Sequence, residues 1–434
     1  MLTEVSLEGF KSYGSHQTLD LSSMTVLVGA NASGKSNVIE AIRFLSWLAQ
    51  GQRLSSIEYQ VNTSDAIVRG VSADLAQRGR DTFTLGCQLD SGDWPDFCIS
   101  LEWRDDGFHI VQEMVTSESQ IVPLYEMVQP SSGQATDAYV AYNNFAKGGR
   151  KPQIVVSDQH AVFTQLTKPT AIDANRTKSR REIPAVTSLL EATLSKVLFL
   201  DPVPARMRDY SFPSEQRLVG DGSNLSAVLF NLCGDGAGQK DMKPAVLDFI
   251  RSLPEQSIAD IRFLEEPRGG RLLELVETFG DDERRYDASL LSDGTLRVLA
   301  IAAAMLSADE GSLVVIEEID NGVHPSRARD LLNNIQRIAS QRGLRVLLST
   351  HNPALLDALP LEAVPRVVFC YRDPTNGESR LITLDELDNY PELVARGPLG
   401  RLLTSGDVDR AVKRLEPARP SAKSWLSDRI GAAS

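Results

Sequence analysis

The 434-residue sequence lacks the features that mark secreted, membrane-embedded or zinc-binding proteins. Its only four cysteines are scattered without a CxxC pair, so neither a zinc knuckle nor a disulfide framework is indicated, and a reducing compartment fits. The first residues show no basic leader followed by an apolar run. The most apolar helical stretch, residues 296–306, is about half as long as a bilayer span requires. We therefore expect a cytoplasmic protein with no membrane segment.

An excess of positive charge is also missing. The chain has 45 Lys and Arg against 58 Asp and Glu, a formal net charge of −13, so a contact with DNA would have to come from a local patch. Basic residues do cluster in two middle segments and near the C-terminus: Lys147, Arg150, Lys151; Arg176, Lys178, Arg180, Arg181; Arg410, Lys413, Arg414, Arg419, Lys423, Arg429. The two middle clusters either hold a phosphate backbone or are solvated loops, and the cluster near the C-terminus either binds a partner or DNA or is disordered, which leaves DNA a candidate partner.

The sequence has no internal repeat, and no heptad pattern persists, which excludes a long coiled coil. Strand and helix patterns alternate instead. Strands are predicted at 2–9, 24–28, 197–200, 313–316 and 345–348, helices at 36–50, 183–198, 224–232, 295–307 and 325–342, and an antiparallel meander at 82–114. Strand–helix–strand alternation favours a parallel sheet, so the predicted fold class is α/β.

The loop after the second predicted strand reads Gly29-Ala30-Asn31-Ala32-Ser33-Gly34-Lys35-Ser36. It fits the phosphate-binding pattern G-x-x-x-x-G-K-[ST], in which glycines let backbone N–H groups face the phosphates. Lys35 would supply charge to the β- and γ-phosphates, and the Ser36 hydroxyl would ligate Mg²⁺. We expect ATP to bind to this loop and to Asn37, against the positive N-terminus of the following helix. A glycine-rich turn without a ligand is the alternative.

Two carboxylates follow the apolar strand at 313–316. Phosphoryl transfer needs one acid near Mg²⁺ and one group that orients or deprotonates the attacking water. Open α/β sheets place their ligands at the carboxyl ends of the strands, so Glu317 is assigned to the metal and Glu318 to the water. The alternative is a strand that ends in two solvated acids.

Two further motifs lie at the ends of predicted elements. Ser292, Asp293 and Gly294 precede an apolar helix and could form a second anion site, although an ordinary helix cap has the same residues. His351 follows the strand at 345–348, where a neutral imidazole could contact a γ-phosphate or the attacking water. A structural histidine is the alternative there.

In this order the four motifs resemble those of ATP-binding-cassette ATPase heads of the SMC, Rad50 and RecF group. The stretches LEGFKSYG, LVGANASGKSN, IEEIDNGVHP and STHNP look most like compact bacterial AAA-type ATPases of the overcoming-lysogenisation-defect and antiphage-defence kinds. The resemblance implies a P-loop ATPase head with a mixed sheet, an antiparallel β subdomain and a helical lobe. It divides the chain into a first ATPase lobe at 1–116, a helical lobe at 117–289, a second ATPase part at 290–415 and a flexible tail at 416–434.

The resemblance also implies roles for the motif residues. Walker A comprises Gly29, Asn31, Gly34, Lys35 and Ser36; Walker B ends in Glu317 and Glu318; the signature is Ser292, Asp293 and Gly294; the D-loop holds Asp320 and Asn321; and His351 is the switch histidine. In such proteins two heads sandwich two ATP molecules, and each Walker A faces the partner's signature, which implies a homodimer or a higher homo-oligomer. His324 either caps the next helix or joins that interface.

The sequence departs from the family pattern at two positions. The first Walker B acid is Glu317 where the family usually has Asp, and the signature reads LSDG rather than LSGG. Asp293 would therefore have to point away from a phosphate, or turnover would be slow. Either Gln88 or Gln112 could be the Q-loop glutamine, and Lys11 either reaches the nucleotide or is a solvated charge.

The implied function is Mg²⁺-dependent ATP hydrolysis in which head dimerisation controls a partner protein or a DNA transaction, in bacterial antiphage defence or DNA repair. The alternative is a nucleotide-gated scaffold or sensor with slow or no hydrolysis. The acids that follow His351 do not show the strand-end arrangement of a metal-dependent nuclease: Asp373, Glu378, Asp385, Glu386. A nuclease, if the pathway uses one, is therefore expected as a separate partner.

Overall fold

The computed structural model describes residues 1–60, 67–90, 92–234, 242–251, 257–321, 325–387 and 390–413. The expectations for His324 and for the tail at 416–434 lie outside these residues. Within them the chain forms an eight-stranded sheet, a six-stranded sheet and a three-stranded sheet, with helices packed on and between them. No helix in this described part of the chain has the length and apolar content that crossing a bilayer requires.

The six-stranded sheet carries the predicted motifs. Its strands, in spatial order, are β10 (Leu198–Leu200), β14 (Leu313–Ile316), β15 (Arg345–Thr350), β3 (Thr25–Val28), β16 (Val367–Arg372) and β17 (Ser379–Thr383). The first five run parallel, and β17 pairs antiparallel with β16. The predicted parallel arrangement is therefore confirmed, and the antiparallel edge strand makes the sheet mixed.

Both faces of this sheet are buried, because successive side chains of its short strands enter two different cores. Val26 and Val28 pack into one core, whereas Leu27 packs into the other. Val314 and Val315 divide between the two cores in the same way. A strand that is buried on both faces has no polar face, which is why these segments read as continuous apolar runs rather than as alternating ones.

The eight-stranded sheet is antiparallel throughout. Its strands, in spatial order, are β2 (Gln17–Asp20), β1 (Leu2–Glu8), β4 (Thr82–Leu89), β5 (Asp96–Arg104), β6 (Gly107–Ser117), β7 (Gln120–Gln129), β8 (Asp137–Tyr142) and β9 (Gln153–Ser157). The predicted meander at 82–114 is confirmed, but the sheet continues to Ser157. The predicted boundary at residue 116 therefore falls inside it. The two residues at each end of β7 are exposed, so its sequence gives only a weak strand signal.

The helices cover both faces of the six-stranded sheet. They are α1 (Lys35–Ala49), α2 (Ile57–Gln60), α3 (Val162–Gln165), α4 (Thr177–Ser195), α5 (Leu225–Cys233), α6 (Lys243–Ile250), α7 (Asp293–Ser307), α8 (Ala328–Arg342), α9 (Pro353–Asp357), α10 (Tyr390–Ala395), α11 (Leu399–Thr404) and α12 (Asp407–Lys413). α1 and α4 share a core with the antiparallel sheet, and α5 to α9 fill the other core. α1, α5, α7 and α8 begin and end within a few residues of their predicted bounds.

The three-stranded sheet leads into α7. It consists of β11 (Ile258–Glu265), β12 (Arg271–Phe279) and β13 (Asp282–Asp287), all antiparallel. The span predicted as a helical lobe, 117–289, thus contains this sheet and β7 to β9 as well as helices. The sequence did not indicate β13, because most of its residues are exposed and carry no apolar alternation.

Candidate functional site

The predicted motifs meet at one edge of the six-stranded sheet. The phosphate-binding loop, called here the P-loop (residues 29–36), follows β3, the pair Glu317 and Glu318 follows β14, and His351 follows β15. These strands are parallel neighbours, so their carboxyl ends lie side by side, where open α/β sheets bind ligands. Asp201, which follows β10, adds a third strand-end acid that the sequence did not single out.

The P-loop adopts a conformation that most residues avoid. Ala32 has φ 63° and Gly34 has φ 118°, and α1 begins directly after them. A Cβ on Gly34 would lie 2.4 Å from Ser379 Oγ, and one on Gly29 would lie 2.3 Å from the Cys370 carbonyl oxygen. Both positions therefore require glycine because neighbouring atoms leave no room for a Cβ, and Gly34 is also required because of its positive φ.

Four side chains from outside the P-loop donate hydrogen bonds to three of its carbonyl groups. Tyr13 donates to the Gly34 oxygen at 3.2 Å, and Arg372 donates to the Ala32 oxygen at 3.0 Å. The Ser33 oxygen between them accepts from Ser379 at 2.6 Å and from Cys370 at 3.2 Å. The Gly34 oxygen also accepts from the Asn37 N–H at 2.9 Å, whereas the N–H groups of Lys35 and Ser36 at the start of α1 have no hydrogen-bond partner among the described residues and are left for an anion.

Two polar groups of the P-loop indicate how well it fits a phosphate. Ser33 Oγ is buried and has no hydrogen-bond partner among the described residues. The Lys35 ammonium donates to two carbonyls of its own loop, those of Gly29 at 2.6 Å and Ala30 at 3.1 Å. Burial lowers the pKa of Lys35, while the nearby Glu318 and other acidic groups raise it. The P-loop therefore offers unpaired N–H groups, an unpaired hydroxyl and a lysine side chain, which are the groups that bind a polyphosphate.

Asn37 and Lys11 lie beside this loop but face other groups. The Asn37 side chain donates to Ser12 Oγ at 2.7 Å. The Lys11 ammonium is paired with the buried carboxylate of Glu40 on α1 and donates to the Arg69 carbonyl at 2.8 Å. Lys11 is therefore not a solvated charge, and a contact between Lys11 and the nucleotide stays a prediction.

Each of the two acids after β14 has its own partner. Glu317 accepts from Arg43 of α1 at 2.8 Å, and burial raises the pKa of Glu317 although Arg43 lowers it. Glu318 is exposed, has φ 46°, and accepts from Asn321 Nδ2 at 2.7 Å. Its backbone N–H donates to Ser349 at the end of β15. A non-glycine residue held in this strained conformation by hydrogen bonds is typical of functional sites.

The histidine after β15 lies beside a further acid, Asp320. His351 is about half exposed, 48%, and its Nδ1 lies 3.7 Å from Asp320 Oδ2. Asp320 also accepts from Thr350 Oγ1 at 2.6 Å. Burial raises the pKa of Asp201, and so does the Glu318 charge. Lys35, a histidine and several carboxylates therefore follow neighbouring strands at one edge of the sheet.

The signature segment (residues 292–294) begins α7. Ser292 is the helix cap, and its Oγ accepts from the Thr295 N–H at 3.1 Å. Ser292 and Asp293 are exposed and Gly294 is half buried, so the positive helix N-terminus is open to solvent. Asp293 pairs with Arg208 at 2.6 Å, a partner that the sequence did not suggest.

Mg²⁺ prefers oxygen ligands, and the edge offers the Ser36 hydroxyl and the Glu317 carboxylate for it. Glu317 would have to exchange its contact with Arg43 for the ion. In the described ranges, no group of three or more His, Cys, Asp or Glu is arranged to hold a metal, at this edge or elsewhere. Each of the late acids has a different task instead: Asp373 and Glu386 cap turns, Glu378 accepts from Gln77, and Asp385 pairs with Arg366.

The two glutamines predicted for the Q-loop lie in the antiparallel sheet. Gln88 in β4 donates to Asp96 at 2.8 Å, and Gln112 in β6 accepts from Ser100 at 3.3 Å. Gln88 also lines a cavity with Arg345, which starts β15 at the end opposite His351. This places Gln88 at the wrong edge of the parallel sheet for a Q-loop role, and nothing in the structure favours Gln112 for it.

Comparison with known proteins agrees with this geometry. The family described as "AAA domain, putative AbiEii toxin, Type IV TA system" matches residues 24–95 and 184–357, more than half of the chain. An ATP/GTP phosphatase of Helicobacter pylori is 22% identical over 372 residues, which are 83% of this chain and 87% of that protein. The Old nuclease of Escherichia phage P2 is 22% identical over 388 residues, 82% of this chain but only 57% of that protein.

A solved structure is similar over most of the chain as well. An Smc head bound to the C-winged helix domain of ScpA covers 89% of this chain and 98% of its own, with 14% identity and a TM-score of 0.49. The sequence matches confirm the predicted resemblance to P-loop ATPases with antiphage-associated relatives.

Proposed function

Because the chain belongs to this family of AAA domains, we propose that it is an ATP hydrolase whose two nucleotide sites are completed between two copies of the chain. One observation carries the proposal. Side chains outside the P-loop hold the carbonyls of Ala32, Ser33 and Gly34, and the N–H groups of Lys35 and Ser36 lie, with the Lys35 side chain, at the same sheet edge as Glu318. That arrangement suits a triphosphate with an acid near its last phosphate.

In the proposed reaction, water attacks the γ-phosphorus, and the bond from phosphorus to the oxygen that bridges the β- and γ-phosphates breaks. Glu318 orients this water and accepts its proton, while Asn321 holds the Glu318 carboxylate in place. Lys35 stabilises negative charge on the phosphates, and His351 hydrogen-bonds the γ-phosphate. Mg²⁺, when bound through Ser36 and Glu317, would neutralise further phosphate charge.

The signature segment gives the reason for a second copy. No hydrogen bond or ion pair among the described residues joins Ser292 or Gly294 to the P-loop of the same chain. The open N-terminus of α7 is nevertheless an anion site. In a symmetric dimer each such N-terminus would meet the γ-phosphate bound by the other copy, and both contacts would form at once because a C2 interface is self-complementary.

A mixing experiment tests the composite site. Lys35→Ala removes the P-loop function and Ser292→Arg blocks the signature, so each variant alone should be inactive. A mixed dimer would contain one intact site, built from the P-loop of one variant and the signature of the other, and about a quarter of the wild-type activity should return in an equimolar mixture. If the mixture stays inactive although light scattering shows mixed dimers, the composite site is wrong.

A nucleotide-gated scaffold or sensor is the second candidate, and one observation favours it. Glu317 is engaged with Arg43, so this carboxylate must exchange its partner before it can bind Mg²⁺ and support hydrolysis. Steady-state turnover separates the two functions. A rate below roughly one per hour, slower than the unassisted reaction of related GTPases, would favour the sensor.

DNA is the partner that the surface charge supports best. The two basic middle segments come together, because Lys178 Nζ lies 4.2 Å from the centre of the Phe145 ring and Ser179 donates to the Asn143 carbonyl at 2.8 Å. We call the joined patch the basic surface; its exposed members are Lys147, Arg150, Arg176, Lys178 and Arg181. In a chain with a net charge of −13, such a concentration of positive charge fits a phosphate backbone.

We further propose that ATP-driven dimerisation controls a separate effector protein, a nuclease among the candidates, in antiphage defence or in DNA repair. The support is the family description, which names a toxin, and the relative named as a phage nuclease. Phage plating on bacteria that carry the wild-type gene region or its Lys35→Ala variant tests the setting. Equal plating on both would contradict a role in defence that depends on ATP.

A further inference from the structure

The signature segment combines a phosphate site with an acid. The N-terminus of α7 carries the partial positive charge of the helix dipole, and Ser292 leaves its first N–H groups open. Asp293 is the first residue of the helix, so its carboxylate brings a full negative charge to the same place. Left free, that charge would repel a γ-phosphate, and the repulsion between such close charges would weaken binding on the order of tenfold or more.

Arg208 lies against this acid. One of its terminal nitrogens donates to Asp293 Oδ1 at 2.6 Å. The other donates to three backbone carbonyls of the loop that leads into α7, at 2.7, 2.9 and 3.3 Å: Leu291, Ser289, Ala288. A planar guanidinium can hold a carboxylate and neighbouring carbonyls at once, which a lysine ammonium does less well. The acid is therefore neutralised and the loop fixed by one side chain.

We propose that Arg208 is a positioning residue for the shared nucleotide site. It neutralises Asp293 and holds its carboxylate aside, so that the N-terminus of α7 can receive the γ-phosphate of the nucleotide bound by the second copy. This inference rests on the proposed two-copy site. It explains how a signature that reads LSDG, with Asp293 in place of a glycine of LSGG, can still bind a phosphate. Without Arg208, the acid would oppose the contact that closes the dimer.

The segment that precedes Arg208 connects the acid edge of the six-stranded sheet to the signature segment. It follows β10, whose last carbonyl, that of Leu200, accepts from the Glu317 N–H at 2.9 Å. The segment 201–208 thus runs from the acid edge of one nucleotide site to the signature that would serve the other. Arg206, two residues earlier, pairs with Asp221 at 2.8 Å and provides a matched control.

The test uses the full chain with Glu318→Gln, which should slow hydrolysis and preserve the ATP-bound dimer. Light scattering gives the Mg-ATP concentration at half-maximal dimerisation for this parent and for added Arg208→Ala, Asp293→Asn, both together, and Arg206→Ala. We expect Arg208→Ala to raise that concentration at least tenfold, Arg206→Ala and Asp293→Asn to change it less than threefold, and the double change to restore it to within threefold of Asp293→Asn.

Rescue is the readout that a purely structural role would not give. If the double variant dimerises as poorly as Arg208→Ala alone, or if Arg208→Ala has no effect, the neutralising role is wrong. Should Arg208→Ala fail to fold, Arg208→Gln replaces it, because a glutamine can still donate to the loop carbonyls but carries no charge. A parent that shows no ATP-dependent dimer would overturn the two-copy site itself, and the role of Arg208 with it.

Discussion

The guanidinium of Arg43 donates a 2.8 Å hydrogen bond to the Glu317 carboxylate and lies 4.8 Å from the centre of the Phe199 ring. Arg43 belongs to α1, the helix that begins at the P-loop, whereas Glu317 follows β14 and Phe199 lies in β10. One side chain therefore connects three elements at the nucleotide edge. Because burial raises the pKa of Glu317 and Arg43 opposes that rise, the guanidinium keeps the carboxylate available as an anion.

We predict that Arg43→Met weakens the use of Mg²⁺ and that higher pH repairs the defect. Without the guanidinium the pKa of Glu317 rises further, so a smaller fraction is ionised at neutral pH and the Mg²⁺ concentration at half-maximal turnover should increase about tenfold. Raising the pH restores the anion. The experiment measures the Mg²⁺ concentration at half-maximal turnover for wild type and variant between pH 6.5 and pH 8.5.

Arg43→Lys is the control, because it keeps a cation at the same position. It should show a smaller defect with the same pH dependence. The free energy of unfolding should fall by about 1 kcal/mol in Arg43→Met, since the pair is only partly buried. A defect in Arg43→Met that is equal at every pH would mean that Arg43 acts through packing on Phe199 and not through the charge of Glu317.

The two glycines that flank α1 give a matched pair for the P-loop. Gly34 and Gly51 both have positive φ, 118° and 72°, but only Gly34 lies against other atoms, with Ser379 Oγ 2.4 Å from the place of a Cβ. Gly51→Ala should cost about 1 kcal/mol of stability and leave ATP affinity unchanged. Gly34→Ala should cost more and reduce ATP affinity at least tenfold, because the P-loop must shift. Urea unfolding and ATP titration measure both effects, and equal ATP affinities in the two variants would contradict the close-contact argument.

Glu113 predicts a pH dependence of stability far from the nucleotide edge. It is fully buried, accepts from the N–H groups of Val162 and Phe163 and from the Tyr125 hydroxyl, and burial raises its pKa to about 7 despite these bonds. The folded state therefore holds a proton that the unfolded state releases from pH 4.5 upwards. The contribution of this group is complete at low pH and is lost as the pH rises to about 7.

Comparison with Glu113→Gln isolates the effect. Between pH 5 and pH 8 the free energy of unfolding of the wild type should fall by about 2 kcal/mol relative to that of the variant, which cannot titrate at this position. Urea unfolding at several pH values measures the difference. The exposed Glu118→Gln should show no such relative change. A wild type that gains stability relative to Glu113→Gln over this range would mean that the three donated bonds outweigh burial.

The parts of the site that the sequence predicted are those in which short patterns decide the local structure. The strand at 313–316 has the predicted ends, and the P-loop lies between β3 and α1, because a run of four apolar residues and a glycine pattern mark these two elements within the local sequence. The prediction that these strands are parallel neighbours then places the motifs at one edge. The roles of Lys35, Glu318 and His351 within that edge stay predictions.

Contacts between distant segments could not be predicted. Tyr13 reaches Gly34 only because β1 and β3 lie in different sheets that pack on α1, and Ser379 depends on the pairing of β16 with β17. Arg208 precedes Asp293 by 85 residues, and no local pattern marks it. The predicted helix at 183–198 starts later than α4, which begins at Thr177. Proline is common in the first turn of a helix, so Pro184 favours a start near 183, yet it lies inside α4.

The basic surface leads to a prediction about salt. Lys147 and Arg150 lie in the β8–β9 loop and have no hydrogen bond or ion pair in the part of the chain that the structure describes, so their charges are available to a ligand. If the surface holds a DNA backbone, each phosphate contact contributes about 0.9 to the slope of log K against log salt concentration. Removing both side chains should therefore lower that slope by about 2.

The measurement is fluorescence anisotropy of a labelled duplex with the full chain, over a series of salt concentrations. Lys147→Ala with Arg150→Ala should weaken binding at low salt by tenfold or more, and equally for unrelated DNA sequences, because phosphate contacts carry no sequence information. Arg268→Ala with Arg285→Ala removes the same charge from two exposed positions, one in the β11–β12 turn and one in β13, and should change neither slope nor affinity beyond about threefold. If the two double variants lower the affinity for DNA equally, the net charge of the protein and not the basic surface governs DNA binding. If the wild type does not bind the duplex at low salt, the positive charge of the basic surface serves another anionic partner.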